Sequence, residues 1–332
     1  MSTITAAITA VGAYVPDFVL TNEILETLVD TNDEWITART GIKERRILKD
    51  DSKGTSYLAI MAAKDLMAKA NLDPLEIDLV IVATATADMP VAATAAYVAT
   101  EIGAINAFGY DLQAACSSFL FGMSTAAAYI QSGRYKKVVL IGADKMSSIV
   151  DYTDRATCII FGDGAGAALF EPNYEGLGLI DEYLRSDGIG RDFLKIPAGG
   201  SLIPTTIDTV KENRHNIIQD GKTVFKYAVT NMADASEQIL KRNNLTNEDV
   251  NWLVPHQANK RIIDATANRM NLEESKVLMN IERYGNTTSA TLPLVLSDFE
   301  NQFKKGDTVI FAAFGGGFTW GAIYLKWAYD KK

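Results

Sequence analysis

The sequence predicts an α/β protein that is built from two similar halves. Apolar, strand-like runs alternate with segments whose apolar residues recur every three or four positions, as helices covering a sheet require. Two strand–helix units then reappear later in the chain at a nearly constant offset of about 172 residues. This repeat predicts a duplication with halves at 1–175 and 176–332. Ligands of such sheets bind beyond the carboxyl ends of the strands, so one cleft between the halves is expected.

The individual elements follow from periodicity, and several strand-like runs are apolar throughout, which indicates burial on both faces. A further strand is expected at 107–115, directly before the longest apolar helical pattern. Strands are predicted at 78–86, 136–144, 165–171, 251–256, 307–314 and 322–327. Helices are predicted at 56–70, 117–133, 223–243, 259–270 and 291–303.

The repeat depends on two separate matches. One aligns the strand containing Leu79 with the strand containing Trp252, and the other aligns Val138 with Val309. Two units that matched by chance would not share an offset, so duplication is the better interpretation. The same offset carries Cys116 into the vicinity of the polar segment YGNTTS in the second half.

Composition and charge exclude several classes of protein. The 332 residues, 48% hydrophobic and 22% charged, have the composition of a globular enzyme. The formal charge of −9 argues against a nucleic-acid partner, although a local basic patch could receive an anionic ligand. Two cysteines cannot build a disulfide framework, which favours a reducing compartment. The first apolar stretch lacks a basic signal-peptide region, and no run reaches membrane-spanning length. We therefore expect a cytoplasmic protein without a membrane partner.

Cys116 lies where a strand-like segment ends and a long apolar helical pattern begins. Free backbone N–H groups and the positive end of the helix dipole stabilise a thiolate at such a turn, so a pKa below about 8.5 is expected. Position alone leaves a nucleophile and a buried core thiol evenly balanced. Cys158, inside the apolar run ATCIIFGD, is predicted to be a core residue.

The chain has two histidines, and only one stands at a predicted strand end. His215 lies in a polar stretch and is expected to face solvent, whereas His256 follows the apolar run WLVP and precedes a helix. A histidine at that place in an α/β protein is more often at a site than in a core. Asn286 precedes small hydroxyl residues and a helix, so a simple helix cap competes with a site role.

Two glycine-rich segments could approach a ligand. The segment 312–321 contains three consecutive glycines between Phe314 and Phe318, more than a hairpin turn needs, and its backbone could aim N–H groups at a reacting centre. The segment FGDGAGA at 161–167 lacks the spacing of a phosphate loop and leads into a strand, so a tight structural turn is predicted there.

Six segments along the chain form a recognisable series. They are TNDEWITARTGIKERR (31–46), AACSSF (114–119), TDRATCIIFGDGAGA (153–167), VPHQANKRI (254–262), RYGNTTSA (283–290) and FGGGFTWG (314–321). In content and order they resemble the β-ketoacyl-[acyl carrier protein] synthase III family of the thiolase superfamily. The resemblance covers essentially the whole chain and implies a duplicated, thiolase-like five-layer α/β/α/β/α fold.

The resemblance implies an acyltransferase that starts fatty acid biosynthesis. Cys116 would be acylated by a short acyl-coenzyme A primer, while His256 and Asn286 would hold the thioester carbonyl of malonyl-[acyl carrier protein] as carbon dioxide leaves. The N–H groups of Cys116 and Gly316 would form an oxyanion hole for the acyl carbonyl. No metal or redox cofactor is implied, because decarboxylation generates the carbanion and coenzyme A is only a leaving group.

The same resemblance implies binding surfaces and a homodimer. Trp35 would stack on the adenine of coenzyme A, with Arg39 and Arg155 near the nucleotide end. Arg261 would dock the acidic acyl carrier protein, in keeping with a local basic patch on an acidic chain. The positions that would line the pantetheine tunnel or its rim are Thr31, Lys226 and Asn259.

Two departures from the family pattern concern specificity. Met89 stands where well-studied straight-chain members have a phenylalanine at the wall of the acyl pocket, to which Phe314 would also contribute. A flexible thioether adapts more readily than a ring, so longer or branched primers are expected to be accepted. The polar stretch 199–217 is longer than usual in the family and is expected to form a surface excursion near the tunnel mouth.

Other members of the superfamily, and a protein without chemistry, are alternatives. Hydroxymethylglutaryl-coenzyme A synthases need a glutamate base, which 83–94 does not offer, and thiolases need a second cysteine near the last glycine-rich turn. A related condensing enzyme of polyketide or secondary-metabolite synthesis would share the same Cys–His–Asn set. A non-catalytic acyl-binding scaffold is the remaining alternative, which the presence of all three residues disfavours.

Overall fold

The computed structural model describes residues 4–331 of the chain. The strands are β1 (Thr5–Tyr14), β2 (Phe18–Thr21), β3 (Glu44–Ile47), β4 (Leu79–Ala83), β5 (Phe108–Leu112), β6 (Val138–Asp144), β7 (Gly164–Asn173), β8 (Gly178–Ser186), β9 (Leu194–Lys195), β10 (Ile218–Gln219), β11 (Trp252–Pro255), β12 (Thr308–Gly315) and β13 (Thr319–Lys326). The helices are α1 (Asn22–Glu26), α2 (Asp33–Thr40), α3 (Thr55–Ala70), α4 (Thr94–Glu101), α5 (Ser118–Gln131), α6 (Arg155–Cys158), α7 (Ile207–Lys211), α8 (Gly221–Arg242), α9 (Lys260–Arg269), α10 (Ile281–Tyr284) and α11 (Thr291–Asp298).

Two mixed sheets form the framework, and they have similar designs. The first has the order β1-β7-β6-β4-β5 and the second the order β11-β12-β13-β8. The first sheet has two parallel and two antiparallel pairs, and the second has one parallel and two antiparallel pairs. Leu79 pairs with Val138 as Trp252 pairs with Val309. These are the four positions that the repeat aligns. The division of the chain near residue 175 falls between the strands of the two sheets and stays a prediction.

Five layers result from the way each strand alternates its side chains. Leu79 and Ile81 face a central core that also contains α5, α11 and one face of the second sheet. Val80 and Val82 face the opposite way, onto α3 and α4. The outer face of the second sheet packs on α8 and α9. Because both faces of both sheets are covered, the central strands β4, β6 and β12 are buried at every residue, which confirms the predicted α/β/α/β/α class.

Most predicted elements are present, with differences at their ends. The predicted helix 291–303 ends at Asp298, and Glu300–Gln302 form a separate 3₁₀ turn. Strands β1 and β8 were not among the predicted strands. The stretch 199–217, predicted as a surface excursion, contains the short helix α7, which starts at a capping box on Thr206. Within the described part of the chain, none of the helices combines the length and apolar character that crossing a bilayer requires.

Candidate active site

Cys116 lies in the 3₁₀ turn that joins β5 to α5, and the residue is 6% exposed. The end of β12 passes directly over this turn. A Cβ atom on Gly315 would lie only 2.7 Å from the backbone nitrogen of Cys116, so no other residue fits at position 315 without movement. The last glycine-rich segment of the second half therefore approaches the cysteine of the first half.

His256 follows β11 and is buried beneath the same site. Its backbone N–H donates to the carbonyl of Ala312 on β12 at 2.8 Å, and its Nδ1 atom lies 2.7 Å from the hydroxyl of Thr291. Burial without a nearby carboxylate lowers the pKa of the imidazole to about 3. The side chain is therefore neutral at physiological pH and can offer a hydrogen bond but no net charge.

Asn286 is held in a fixed orientation by its own loop. Its Oδ1 atom accepts the backbone N–H of Thr288 at 2.8 Å, and its backbone pairs with Ile160 and Gly162 at 2.9 and 3.1 Å. Because the oxygen is occupied, the amide nitrogen is the end that faces Cys116, whose thiol it contacts. The segment FGDG thus forms a structural turn that supports Asn286, and Asp163 within it accepts bonds from Ser147.

Two cavities meet at Cys116. The first, of about 100 Å³, is lined by His256, Asn286, Phe314 and apolar residues of α8. The second, of about 530 Å³, shares Cys116 with the first and is also lined by Ala115 and Gly316. A group attached to the sulfur could therefore occupy one cavity while a second reactant entered through the other.

The backbone N–H groups of Cys116 and Gly316 both interact with the Cys116 sulfur. They come from different halves of the chain, one from the turn before α5 and one from the glycine-rich turn after β12. Two convergent backbone donors are the arrangement that stabilises a developing oxyanion on a carbonyl bound at this sulfur.

The predicted direction of the Cys116 pKa was wrong. Burial raises the pKa of this thiol to about 12, and the carboxyl group of Asp144 adds to the rise. Hydrogen bonds from Asn286 and from the backbone of Cys116 and Gly316 favour the thiolate but do not compensate. The sequence alone shows that Cys116 precedes a helix, which favours a low pKa. The residues of the second half that bury the thiol and exclude water cannot be identified from it.

This pKa predicts how the thiol reacts with iodoacetamide. Only the thiolate reacts, so the alkylation rate of Cys116 should rise by about tenfold for each pH unit up to about pH 10 without reaching a plateau. Alkylation would be followed by mass spectrometry, with the Cys116→Ala variant giving the background at Cys158, which is fully buried. A plateau near pH 8 would show instead that the helix N-terminus, rather than burial, determines the pKa of Cys116.

The residues expected to bind a nucleotide form one cluster at the surface. The guanidinium groups of Arg39 and Arg155 lie 5.5 and 5.2 Å from the centre of the Trp35 ring. Asn259, which lines the first cavity and caps α9, donates to the backbone carbonyl of Arg39 at 3.0 Å. The structure thus joins the exposed aromatic and cationic cluster to the cavity that contains His256.

The other predicted binding residues line neither cavity. Lys226 is exposed on α8, and Arg261 on α9 stacks over Phe225, which lines the first cavity, at 4.8 Å. The hydroxyl of Thr31 is buried and has no hydrogen-bond partner among residues 4–331. Met89 is 58% exposed and lines neither cavity, so the structure does not place it at the wall of an acyl pocket within this chain.

Asp144 is a residue of the site region that sequence reasoning missed. It ends β6 fully buried and accepts six hydrogen bonds, from Thr84, Ala85, Thr86 and Ser289. Burial raises the pKa of this carboxyl group, and the hydrogen bonds oppose that rise. Because Ser289 follows Asn286 closely, Asp144 fixes the Asn286 loop to the first sheet. A carboxylate at the end of a wholly apolar strand was the available signal.

Comparison with known proteins gives consistent results. Two family models, described as 3-oxoacyl-[acyl-carrier-protein] synthase III and its C-terminal part, match residues 110–188 and 240–327. The β-ketoacyl-[acyl-carrier-protein] synthase III 2 of Bacteroides thetaiotaomicron is 57% identical over all of this chain and 99% of its own length.

Solved structures agree with this likeness. The 3-oxoacyl-[acyl-carrier-protein] synthase III of Aquifex aeolicus is 39% identical, with a TM-score of 0.89 over 97% of this chain and all of its own. The priming β-ketosynthase of the R1128 polyketide pathway is 32% identical, with a TM-score of 0.89 over 98% of this chain and 97% of its own.

Proposed function

The chain belongs to the 3-oxoacyl-[acyl-carrier-protein] synthase III family, and from this premise we propose how its residues perform the condensation. The reaction joins the acyl group of a short acyl-coenzyme A to malonyl-[acyl carrier protein]. It yields β-ketoacyl-[acyl carrier protein], carbon dioxide and coenzyme A, and so initiates fatty acid biosynthesis. The observation that carries the proposal is the Cys116 thiol at the meeting point of two cavities, with His256 and Asn286 on one wall.

In the first half-reaction, Cys116 attacks the primer thioester. The sulfur forms a bond to the acyl carbon, the bond to coenzyme A breaks, and the thiol proton leaves with the coenzyme A sulfur. The N–H groups of Cys116 and Gly316 stabilise the oxyanion of the tetrahedral intermediate. Because the free thiol has a high pKa, these donors have to act together with substrate binding, which completes the enclosure of the site.

In the second half-reaction, malonyl-[acyl carrier protein] enters through the first cavity. Its carboxylate leaves as carbon dioxide, and the electron pair of the broken bond forms an enolate on the thioester. His256 and Asn286 donate hydrogen bonds to the enolate oxygen. The enolate carbon forms a bond to the acyl carbon, the bond from that carbon to the Cys116 sulfur breaks, and the released thiolate takes a proton from solvent. The fold therefore supplies charge stabilisation rather than a strong base, and we infer that no metal or redox cofactor takes part.

Binding of the two carriers follows from the surface around the cavity. The adenine of coenzyme A would stack on Trp35 between Arg39 and Arg155, and pantetheine would run past Asn259. Arg261, close to the mouth, offers a cation to the acidic carrier protein. The residues assigned to the rim of the tunnel are Thr31 and Lys226. The two free cysteines favour a reducing location, and we propose the cytoplasm.

The proposal is tested directly with the purified protein. We expect mass spectrometry of the carrier protein to show a β-ketoacyl product when a short acyl-coenzyme A and malonyl-[acyl carrier protein] are supplied together. Release of coenzyme A should match product formation one for one. Absence of product with every primer in a panel of straight and branched acyl-coenzyme A thioesters would contradict the proposal.

The second candidate function is priming in polyketide synthesis, which the likeness to the R1128 priming ketosynthase favours. The chemistry at Cys116 would be the same, so the two candidates differ in the carrier protein that is recognised. Comparing rates with carrier proteins of fatty-acid and polyketide systems separates them. A non-catalytic acyl-binding scaffold would form no β-ketoacyl product with either carrier.

We propose that the enzyme is a homodimer in which Met89 of one subunit reaches the acyl pocket of the other. Met89 is exposed and its neighbour Val91 protrudes fully, although both are apolar. A phenylalanine at position 89 should overpack the pocket when a branched primer is bound, at a free-energy cost of about 1–3 kcal/mol. Binding of the smaller acetyl group should be unaffected. The Met89→Phe variant should therefore lower the isobutyryl-to-acetyl ratio of kcat/KM by about tenfold. An unchanged ratio would place Met89 outside the primer pocket.

A further inference from the structure

The proposed second half-reaction requires a particular protonation state of His256. The imidazole is neutral, so only one of its two ring nitrogens carries a proton. His256 can donate to the enolate oxygen only if this proton lies on Nε2. An unprotonated Nε2 would present a lone pair to an oxygen that gains negative charge. The tautomer is set by whatever contacts Nδ1.

Thr291 is the side chain that contacts Nδ1. Its hydroxyl oxygen lies 2.7 Å from Nδ1 of His256 and 3.0 Å from the carbonyl oxygen of Thr288. Thr291 begins α11 and is 1% exposed, so water does not compete for its hydroxyl. No other side chain among residues 4–331 forms a hydrogen bond with His256. The single hydroxyl proton can point either to the carbonyl or to the imidazole.

The two orientations have opposite consequences. If the hydroxyl donates to Thr288, it accepts from Nδ1–H and leaves Nε2 bare. If it donates to Nδ1, the ring proton lies on Nε2. The carbonyl of Thr288 already accepts the backbone N–H of Thr291, so it stays satisfied when the hydroxyl turns away. The imidazole, by contrast, has no alternative donor for Nδ1.

We propose that Thr291 is a positioning residue whose hydroxyl donates to Nδ1 of His256 and keeps the imidazole proton on Nε2. The inference rests on the proposed function for its purpose, since it names what prepares His256 as a donor. It also matches the way Asn286 is prepared, because the N–H of Thr288 occupies the amide oxygen and leaves the amide nitrogen free. One turn, residues 286–291, thus orients both donors.

The test compares three threonine variants of the whole chain and uses one further substitution for the NMR assignment. Thr291→Val keeps the shape and removes the hydroxyl, and Thr291→Ser restores it. Thr266→Val is the matched control, because Thr266 is equally buried and donates to a helix carbonyl at 3.0 Å but lies on α9 outside both cavities. Nitrogen NMR of histidine-labelled protein reports which ring nitrogen is protonated. His215→Gln removes the signal of the other histidine.

We expect a proton on Nε2 in the wild type, in Thr291→Ser and in Thr266→Val, and a mixture of tautomers in Thr291→Val. Decarboxylation of malonyl-[acyl carrier protein] should fall by about tenfold or more in Thr291→Val, while acylation of Cys116 stays at the wild-type rate. Thr291→Ser should recover most of the loss.

A proton on Nδ1 in the wild type, or an unchanged tautomer in Thr291→Val, would overturn the proposal. Equal losses in Thr291→Val and Thr266→Val would do the same, because they would indicate a general cost of removing a buried hydroxyl. Failure of the wild type to acylate Cys116 would instead contradict the proposed function, and the NMR result would still decide the tautomer.

Discussion

Replacing Cys116 with alanine is expected to abolish condensation with every acyl-coenzyme A primer. Both cavities converge on this sulfur, and the two backbone N–H donors are aimed at it, so no other group can hold the acyl carbonyl in place. Mass spectrometry should show one acyl group on the wild type and none on the Cys116→Ala variant after incubation with acyl-coenzyme A.

Cys158→Ala is the matched control for this experiment. Cys158 is also a buried free thiol, but it packs in an apolar cluster with Ile36 and Ile42 and lines neither cavity. This variant should be acylated like the wild type. An acyl group that persisted on Cys158 in the Cys116→Ala variant would overturn the assignment of the nucleophile.

Replacing His256 or Asn286 with alanine should leave acylation intact and impair decarboxylation. Each change removes one of the two neutral donors to the enolate, and loss of such a donor typically lowers the rate by ~10²–10³. Carbon dioxide release from malonyl-[acyl carrier protein] measures this step, while mass spectrometry of the protein measures the acyl group on Cys116.

An isosteric change sharpens the same test at position 286. Asn286→Asp keeps the size of the side chain but turns a donor into a carboxylate, which repels an enolate. Its decarboxylation rate should therefore be no higher than that of Asn286→Ala. If either His256→Ala or Asn286→Ala lost acylation alone, these residues would belong to the first half-reaction and the proposed division of roles would be wrong.

The meeting of Cys116, His256 and Asn286 could be predicted because each follows from a local pattern. Cys116 precedes a helix, His256 ends an apolar strand, and the repeat offset carries Cys116 towards the loop of Asn286. Periodicity also located the strands of both sheets that are apolar on both faces. These features depend on local patterns and on one internal repeat, both of which a single sequence shows.

What the sequence could not show depends on contacts between distant segments. The high pKa of Cys116 arises from the cover contributed by the second half, and Asp144 matters because Ser289 lies against it. Strand β1 is rich in alanine and contains threonine at Thr5 and Thr9, so its composition resembled neither a strong strand nor a helix. The antiparallel pairing with β7 stabilises this segment as a strand. The proposed place of Met89 in an acyl pocket would depend on contacts with a second subunit, which a single chain does not show.

The enclosure of Cys116 also determines how long an acylated subunit can wait for its second substrate. A thioester in water is lost slowly by hydrolysis, and each such event wastes one activated primer. With Cys116 only 6% exposed and mostly apolar residues lining the first cavity, an attacking water has little access to the acyl carbon from that side. We therefore expect the lifetime of the acylated enzyme to depend on how soon malonyl-[acyl carrier protein] binds rather than on hydrolysis. The same burial that raises the pKa of the Cys116 thiol thus protects the acyl-enzyme intermediate from hydrolysis once it has formed.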